Sequence, residues 1–400
     1  MTNIPSQPIN LRQPGRPWAF WLLFFFQYAA VAGYYTYLNV YFRDAGLTGT
    51  QIGVLNMVTA MISVGSAVVW GFLADRTGKP RYFIAAGAVG ALIAAQFIPT
   101  VHTFNAFLVI GILSAFMYSA PQTLADSTTL AWLGEKREDY ARFRLGGTFG
   151  FILTGSLLGF VFDRLGLQVM FPIYGVMMGL FAFFALLLPD LTVRLESRSV
   201  GAIGAMIRTP AWILLVVCCF LTWIATNASI TFMGVVLDSM GADKGLIGIA
   251  STIGAIIEIP FMMFSPYLLR RFGAARLLLV AFSLNVVRYS LLAWMPSPGW
   301  AVPINIINGP AFVLFWNAAI TLANKMAPPG MAGTAQGLLS STMSLAGVVG
   351  ALLTGVLFDR LGPHGLFTVM AVIVAVALIL FGLGNLDLIR RSPAKANIKV

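Results

Sequence analysis

Charged residues are scarce in this 400-residue chain. Asp, Glu, Lys and Arg make up 10% of it, whereas soluble proteins carry about a quarter. Hydrophobic residues reach 58%, and the mean hydropathy is +0.86. A soluble enzyme is therefore excluded, and so is a soluble nucleic-acid-binding protein, although the formal net charge is +11. The composition predicts an all-α integral membrane protein.

Cysteine and histidine are nearly missing as well. Cys218 and Cys219 are the only cysteines, and as neighbours in one apolar run they favour neither a structural disulfide nor a metal site. His102 and His364 fall in predicted loops, so histidine gives little support for metal binding or acid–base catalysis. We expect no cofactor, no metal and no enzymatic activity.

Long apolar runs fill almost the whole chain. At about 20 residues per membrane-spanning helix, 400 residues hold about a dozen spans and leave no room for a sizeable soluble domain. The predicted spans are 18 to 42, 51 to 74, 82 to 101, 104 to 133, 141 to 162, 168 to 189, 211 to 237, 245 to 269, 276 to 296, 300 to 324, 331 to 358 and 364 to 386. The polar stretch before the first span is predicted to be a tail, because the apolar run after it is too long and too aromatic for a cleaved signal peptide.

The basic residues of the connections fall mainly on one side of the predicted helices. Nineteen lysines and arginines lie on the side of the N-terminus, and the other side has only Arg43, Arg164, Lys244 and Arg360. Because cytoplasmic loops carry the excess of Lys and Arg, both termini are predicted to be cytoplasmic. We expect a multi-pass protein of the inner (cytoplasmic) membrane.

An internal repeat divides the chain into two similar parts. At an offset of 195 to 196 residues, Arg76-x-Gly78-x-x-Arg81 matches Arg271-x-Gly273-x-x-Arg276, and 162–166 (FDRLG) matches 358–362 (FDRLG). Such duplication is typical of transporters whose substrate binds between the halves. The predicted organisation is a tail (1–17), a six-helix bundle (18–190), a cytoplasmic linker (191–210), a second six-helix bundle (211–388) and a tail (389–400).

Four ionisable residues lie inside predicted spans: Asp126, Arg144, Glu258 and Arg288. Each is costly in lipid, so each is expected to face a cavity or a partner. Glu258 lies 12 residues before Arg270, and Arg288 lies 12 after Arg276. Both are therefore about 18 Å from the cytoplasmic face and able to pair near the midplane. Asp126 and Arg144 are predicted to form a second pair; the alternative is that both pairs only neutralise charge and align helices.

Two further groups are candidate functional residues. The turn after the second span holds Gly71, Asp75, Arg76, Gly78 and Arg81, a set that allows close helix approach and a separable contact, and therefore predicts a gate. Its alternative is an ordinary basic turn. Aromatic and amide side chains of the first, seventh and tenth spans are candidate cavity residues: Gln27, Tyr34, Tyr35, Tyr37, Asn39, Asn227, Asn308, Trp316 and Asn317.

With this turn, the duplicated halves and the placed charges, the chain resembles the major facilitator superfamily over essentially its whole length. The motifs resemble the branch of phenylpropionate permease, nucleoside proton symporters and lactose permease; they are Asp126, 144–151 (RLGGTFGF), 258–260 (EIP), 288–289 (RY) and 333–337 (GTAQG). The resemblance implies twelve transmembrane helices in two pseudo-symmetric six-helix bundles. It also implies substrate contact by Asp126 and Arg144, and proton coupling through Glu258 with Arg288.

The sequence departs from that branch on the tenth span. Members commonly place a histidine there, where this chain has 305–310 (NIINGP). Because asparagine does not titrate, any proton must be carried by Glu258 or Asp126. Our leading hypothesis is proton-coupled uptake of a small organic solute such as a sugar, nucleoside or aromatic acid by a monomer in the lipid bilayer. The alternatives are a uniporter and proton-driven efflux of an amphipathic compound. The resemblance disfavours efflux, because antiporters of this superfamily usually carry a Gly-Pro motif on the fifth span and no proline lies between Tyr140 and Gly166.

Overall fold

The computed structural model describes residues 16–134, 136–189, 203–329 and 331–384. Within them the chain forms thirteen α-helices: α1 Pro17–Asp44, α2 Gly49–Thr77, α3 Pro80–Phe97, α4 Phe104–Leu133, α5 Tyr140–Leu165, α6 Met170–Leu186, α7 Ile203–Ile207, α8 Pro210–Ser239, α9 Lys244–Phe272, α10 Ala274–Ala293, α11 Ala301–Asn305, α12 Asn308–Met326 and α13 Ala332–Gly384. The predicted C-terminal tail, residues 1–15 of the N-terminal tail and residues 191–202 of the linker lie outside the described residues.

Nine helices of the described part are long and apolar enough to cross a membrane, and α11 with α12 makes a tenth span bent by 44°. The 53-residue α13 supplies two spans because its backbone turns at Gly362, where φ is 69°. The aromatic helix α1, 28 residues long, completes the set. The predicted twelve-helix membrane fold is confirmed.

The predicted tenth span is broken in the structure, and proline explains the break. Pro310 lacks the backbone N–H that would bond the carbonyl of Ile306, and its ring crowds that carbonyl. The helix therefore stops at Asn305 and resumes at Asn308. This break gives the Asn305 side chain a place beside α9 and α10, where its amide donates to the Ala250 carbonyl at 3.0 Å.

The two halves, α1–α6 and α8–α13, meet along three helix pairs: α1 with α8, α2 with α13, and α5 with α9. Small residues permit this approach, because a side chain would collide with backbone across the interface. A Cβ added at Gly53 would lie 2.8 Å from the Ala351 carbonyl oxygen, and one added at Gly159 would lie 2.8 Å from the Cα of Gly245. These contacts lie near the loops 45–48, 166–169 and 240–243 and the bend at Gly362, which together we call the joined face.

The repeated FDRLG motif supplies a carboxylate to each of two interfaces on the joined face. Asp359 of α13 accepts hydrogen bonds from the backbone N–H of Gly49 and Thr50 at 2.7 and 2.6 Å, and from the Thr50 hydroxyl at 2.6 Å. Asp163 of α5 accepts from the N–H of Lys244 and Gly245 at 2.7 and 2.8 Å. Each aspartate thus caps the first turn of a helix from the other half, where the helix dipole favours negative charge.

The halves diverge away from the joined face. Along α2, a Cβ added at Gly49 would meet the carbonyl oxygen of Gly355 at 2.9 Å, whereas one added at Gly71, on the same side of the helix as Gly53, would meet no described atom within 4 Å. All hydrogen bonds between the halves that the structure describes lie in the joined face or midway along the helices. The structure is therefore closed at one end of the interface between the halves.

Asp359→Asn is predicted to increase hydrogen exchange at the start of α2, 310 residues away in sequence. The carboxylate protects the amides of Gly49 and Thr50, so its loss is expected to speed their exchange about tenfold, equivalent to about 1.4 kcal/mol. Mass spectrometry of peptides from the detergent-solubilised protein measures this exchange, and Asp163→Asn is expected to act in the same way at the start of α9.

Asp139→Asn is the matched control, since Asp139 pairs only with an exposed Arg142 in the described part of the chain. Unchanged exchange at both helix starts in Asp359→Asn and Asp163→Asn would show that the carboxylates do not hold the halves together.

Candidate functional site

A cavity of about 310 Å³ lies between the halves near the middle of the helices. Helices α1 and α5 line it from one half, and α8, α9, α10 and the α11–α12 break line it from the other. Three ionisable residues predicted from the sequence, Arg144, Glu258 and Arg288, share this cavity, together with the predicted Asn308. The structure therefore brings one charged residue of the first half and two of the second to a single space.

Arg288 is held in the cavity wall by neutral groups. Its side chain is only 3% exposed. Its Nε and Nη2 atoms donate to the Asn305 Oδ1 at 3.1 and 2.8 Å, and Nη2 also donates to the Ser229 hydroxyl at 2.6 Å. Because Asn305 itself donates to the Ala250 carbonyl, its amide is fixed with the oxygen toward Arg288. The guanidinium is thus oriented without a carboxylate partner in the described part of the chain.

Glu258 is half-buried on α9, where two glycines bring the neighbouring backbone close. A Cβ added at Gly309 would lie 3.0 Å from the Glu258 backbone nitrogen, and one added at Gly254 would lie 2.9 Å from the Asn308 amide nitrogen. Among the described residues, the Glu258 carboxyl forms no hydrogen bond or ion pair. The expected Glu258–Arg288 pair is therefore not formed in this structure, because Asn305 and Ser229 occupy the arginine.

The expected pair of Asp126 with Arg144 is not formed either. The Asp126 carboxylate accepts a hydrogen bond from the Tyr140 hydroxyl at 2.7 Å. The Arg144 guanidinium lies over the ring of Tyr28, 3.8 Å from its centroid. A cation over an aromatic face gains electrostatic attraction while its N–H groups stay available at the ring edge. Arg144 therefore reaches the cavity, whereas Asp126 is outside the described lining of that cavity.

The other predicted cavity residues occupy three different places. Tyr34 and Asn227 line a second cavity that extends toward the joined face. Tyr37 is fully buried, and its hydroxyl donates to the Lys244 carbonyl at 2.9 Å across the interface between the halves. Trp316 packs against Trp223, with the ring centroids 5.7 Å apart. Tyr37 and Trp316 thus contribute to packing here, and their contact with a substrate stays a prediction.

The predicted gating residues lie in the last part of α2, the turn after it and the start of α3, at the end opposite the joined face. Gly78 ends α2 with φ of 66°, a backbone conformation that favours glycine. Arg81 donates to the Leu188 carbonyl at 3.3 Å, within its own half. Asp75 and Arg76 are exposed, and a Cβ added at Gly71 would meet no described atom within 4 Å. Their role as a gate stays a prediction.

Sequence reasoning did not assign a role to several cavity residues. Tyr28, Ser229 and Asn305 each contact an arginine of the site, yet none is charged, and small polar or aromatic residues in spans are common. Their signal in the sequence was indirect. The sequence departs from the family pattern at 305–310 (NIINGP), and this segment contains Asn305, the partner of Arg288.

Comparison with known proteins agrees with this architecture. The family model described as the MFS_1 like family matches residues 18–369. The maltose permease of Geobacillus stearothermophilus is 28% identical, with 90% of this chain and 92% of the permease covered. A protein of Escherichia coli (strain K12) named "Probable 3-phenylpropionic acid transporter" is 25% identical, with 87% of this chain and 95% of that protein covered.

A solved structure shows the same fold at low sequence identity. The crystal structure of the nucleoside transporter NupG superposes with a TM-score of 0.80 at 18% identity, with 93% of this chain and 98% of that chain covered. This likeness agrees with the twelve-helix fold. The family match over residues 18–369 identifies the chain as a member of the MFS_1-like family of the major facilitator superfamily, a membrane transporter rather than an enzyme.

Proposed function

We propose that this transporter is a proton-coupled symporter that takes up a small organic solute by alternating access. The observation that carries the proposal is the cavity between the halves, which holds Glu258 with Arg144 and Arg288. Within the described residues, neither arginine is ion-paired. An unpaired carboxyl beside two cations is a group whose charge state depends on how close the cations come.

The proton is carried by Glu258 in this proposal. A carboxyl group binds a proton more tightly when it is buried away from water and less tightly when an arginine lies beside it. In the present structure Arg288 is bonded to Asn305 and Ser229 instead of Glu258. A rearrangement of α9 against α10 that brings Glu258 to Arg288 would therefore release the proton, and its reversal would take one up.

The solute is bound by Arg144 from the first half. Its planar guanidinium carries five N–H donors, which suit the oxygen atoms of a hydroxylated or carboxylated solute. Helix α5 packs against α9 across the interface between the halves. A solute bound between Arg144 and the second half would therefore shift α9, the helix that carries Glu258. The names of the similar proteins mention maltose, a phenylpropionic acid and nucleosides, so all three solute classes belong in a first test.

The proposed orientation places the joined face outside and the α2–α3 turn in the cytoplasm. Arg76, Lys79 and Arg81 lie at or beside this turn. Loops rich in Lys and Arg lie on the cytoplasmic side of the membrane, which favours this orientation. The structure then corresponds to a state closed to the outside, with both termini cytoplasmic in the inner membrane. The turn residues Gly71, Asp75, Arg76, Gly78 and Arg81 would close the cytoplasmic side in the other state.

Arg144→Lys is expected to weaken solute binding about tenfold or more, since a point ammonium does not reproduce the planar fork of donors or its stacking on Tyr28. Isothermal titration calorimetry with maltose, uridine and 3-phenylpropionate measures binding. Arg142→Lys is the matched control, because the Arg142 side chain is 79% exposed. Wild-type affinity in Arg144→Lys would mean that Arg144 serves helix packing alone.

Glu258→Gln is expected to abolish solute accumulation driven by a proton gradient and to preserve counterflow exchange. Glutamine resembles the protonated acid, so it permits the solute-loaded transitions but carries no proton. Proteoliposomes are tested with radiolabelled maltose, uridine and 3-phenylpropionate, and the solute that the wild-type protein accumulates is used for the comparison.

Glu138→Gln is the control for this substitution, since Glu138 is exposed in the connection between α4 and α5. Uphill uptake that survives in Glu258→Gln would remove Glu258 from the coupling mechanism. Wild-type uptake that ignores a protonophore would instead indicate a uniporter or a carrier driven by another ion.

A further inference from the structure

Asn305 ends the short helix α11, at the break of the tenth span. Its side chain is only 3% exposed and joins two other helices. The Nδ2 atom donates to the Ala250 carbonyl of α9 at 3.0 Å, and the Oδ1 atom accepts from Nε and Nη2 of Arg288, on α10, at 3.1 and 2.8 Å. One neutral side chain therefore fixes the position of a guanidinium relative to the backbone of α9.

The contact with Ala250 determines which end of the amide faces Arg288. A backbone carbonyl only accepts hydrogen bonds, so the NH2 group of Asn305 points toward Ala250 and its oxygen toward the guanidinium. A leucine in this place would offer no acceptor to Arg288. An aspartate would offer one, but it would also add a negative charge. Among these three side chains of similar shape, only asparagine holds Arg288 and leaves its positive charge uncancelled.

Arg288 is thereby held apart from Glu258. Ala250 and Glu258 are eight residues apart on α9, which corresponds to about 12 Å along the helix. The α9 residues that line the charged cavity between them are small: Ser251, Gly254 and Ala255. Because side chains lean toward the N-terminus of a helix, Glu258 leans toward Ala250. Cavity space therefore separates the guanidinium from the carboxyl group, and release of Arg288 would let the two meet.

Apart from Glu258, the titratable groups that line the charged cavity in the described part of the chain are two cations and a phenol. Arg144 comes from α5, Arg288 from α10 and Tyr28 from α1. Tyr289 adjoins the cavity, since its hydroxyl accepts from Nη1 of Arg288 at 3.4 Å. Helices α8 and α12 contribute only neutral groups to the described lining. The proton affinity of Glu258 therefore depends on how close the two cations come.

From this geometry we infer that Asn305 is a positioning residue for proton exchange: it holds Arg288 away from Glu258 and so sets the pH range in which Glu258 gains and loses its proton. The inference rests on the proposed transport function and names a residue that adjusts its proton site. In the exchange, the O–H bond of the carboxyl group breaks, the proton passes to water, and the carboxylate that remains is balanced by the approaching guanidinium. Ser229 assists Asn305, since its hydroxyl accepts one hydrogen bond from Arg288.

Infrared spectroscopy of the purified full-length protein tests the inference without any solute, because a protonated carboxyl group has its own C=O stretching band. The band that Glu258→Gln lacks belongs to Glu258, and its loss with rising pH gives a titration midpoint. Asn305→Ala is expected to move this midpoint toward lower pH by about one unit or more, since the released Arg288 favours the carboxylate. Asn305→Asp is expected to move it toward higher pH, because a second carboxylate neutralises Arg288 in place and repels the ionised form of Glu258.

Opposite shifts separate a positioning role from a structural one, because a loss of packing would move the midpoint in one direction in both variants. Ser229→Ala is expected to shift the midpoint in the same direction as Asn305→Ala but by less, and it keeps the test available if an Asn305 variant does not fold. Asn285→Ala is the control, with an unchanged midpoint. Asn285 is a buried amide of α10 that bonds the Ala281 carbonyl of its own helix and lies outside the described lining of the charged cavity.

Three results would overturn the inference: a titration of the carboxyl bands that is the same in Glu258→Gln, a midpoint that both Asn305 variants leave unchanged, or a shift in the same direction in both. The proposed function fails by a different result. Opposite shifts in a protein whose solute uptake ignores a protonophore leave the positioning role standing and remove the coupling. Proton-driven uptake through a Glu258 whose midpoint does not respond to Asn305 leaves the coupling standing and removes the positioning role.

Discussion

The placement of charge in a medium that hydrates it poorly is the constraint on which the rest of this structure depends. An unpaired arginine in a helix that crosses the bilayer costs at least about 2.5 kcal/mol, and the cost falls only where polar groups or water replace its hydration. Arg288 meets this requirement with an asparagine and a serine, and Arg144 meets it with the ring of Tyr28. Neutral partners satisfy the arginines without holding Glu258 in its deprotonated form. In the proposed mechanism Glu258 changes its charge, which a permanent ion pair with an arginine would prevent.

The contacts between the halves follow a related logic. At the joined face, Asp163 and Asp359 bond backbone amides at helix starts, so the interface needs no matching side chain in the other half. Such bonds form and break without leaving a buried charge, since Asp163 and Asp359 are both exposed and water can hydrate the freed amides of a helix start. Glycine contacts such as Gly53 with Ala351 add packing that is lost when the halves separate. An interface of this kind stabilises the state in which the joined face is closed, and it still allows the halves to separate there.

The sequence predicts the architecture better than it predicts the pairing of side chains. Twelve spans and two halves follow from hydrophobic runs and from the repeat, and the helices of the structure match them except at the broken tenth span. Arg144, Glu258 and Arg288 were predictable as cavity-lining residues because ionisable groups stand out in apolar runs. Their partners were not, because helical rise gives the depth of a residue but not the direction of its side chain or the neutral group that competes for it. Asp359 appeared as part of a repeat, but its contact with Gly49 joins residues too far apart in sequence for any local pattern to show.

Solute-driven proton movement tests the central claim most directly. Purified protein is reconstituted into liposomes that contain a pH-sensitive dye. Maltose, uridine and 3-phenylpropionate are added outside in turn, without an imposed pH gradient. Proton-coupled symport through the cavity of Glu258 predicts that at least one solute lowers the internal pH, and that a protonophore abolishes the change. An internal pH that stays constant while labelled solute enters, or that rises on its addition, would contradict the account.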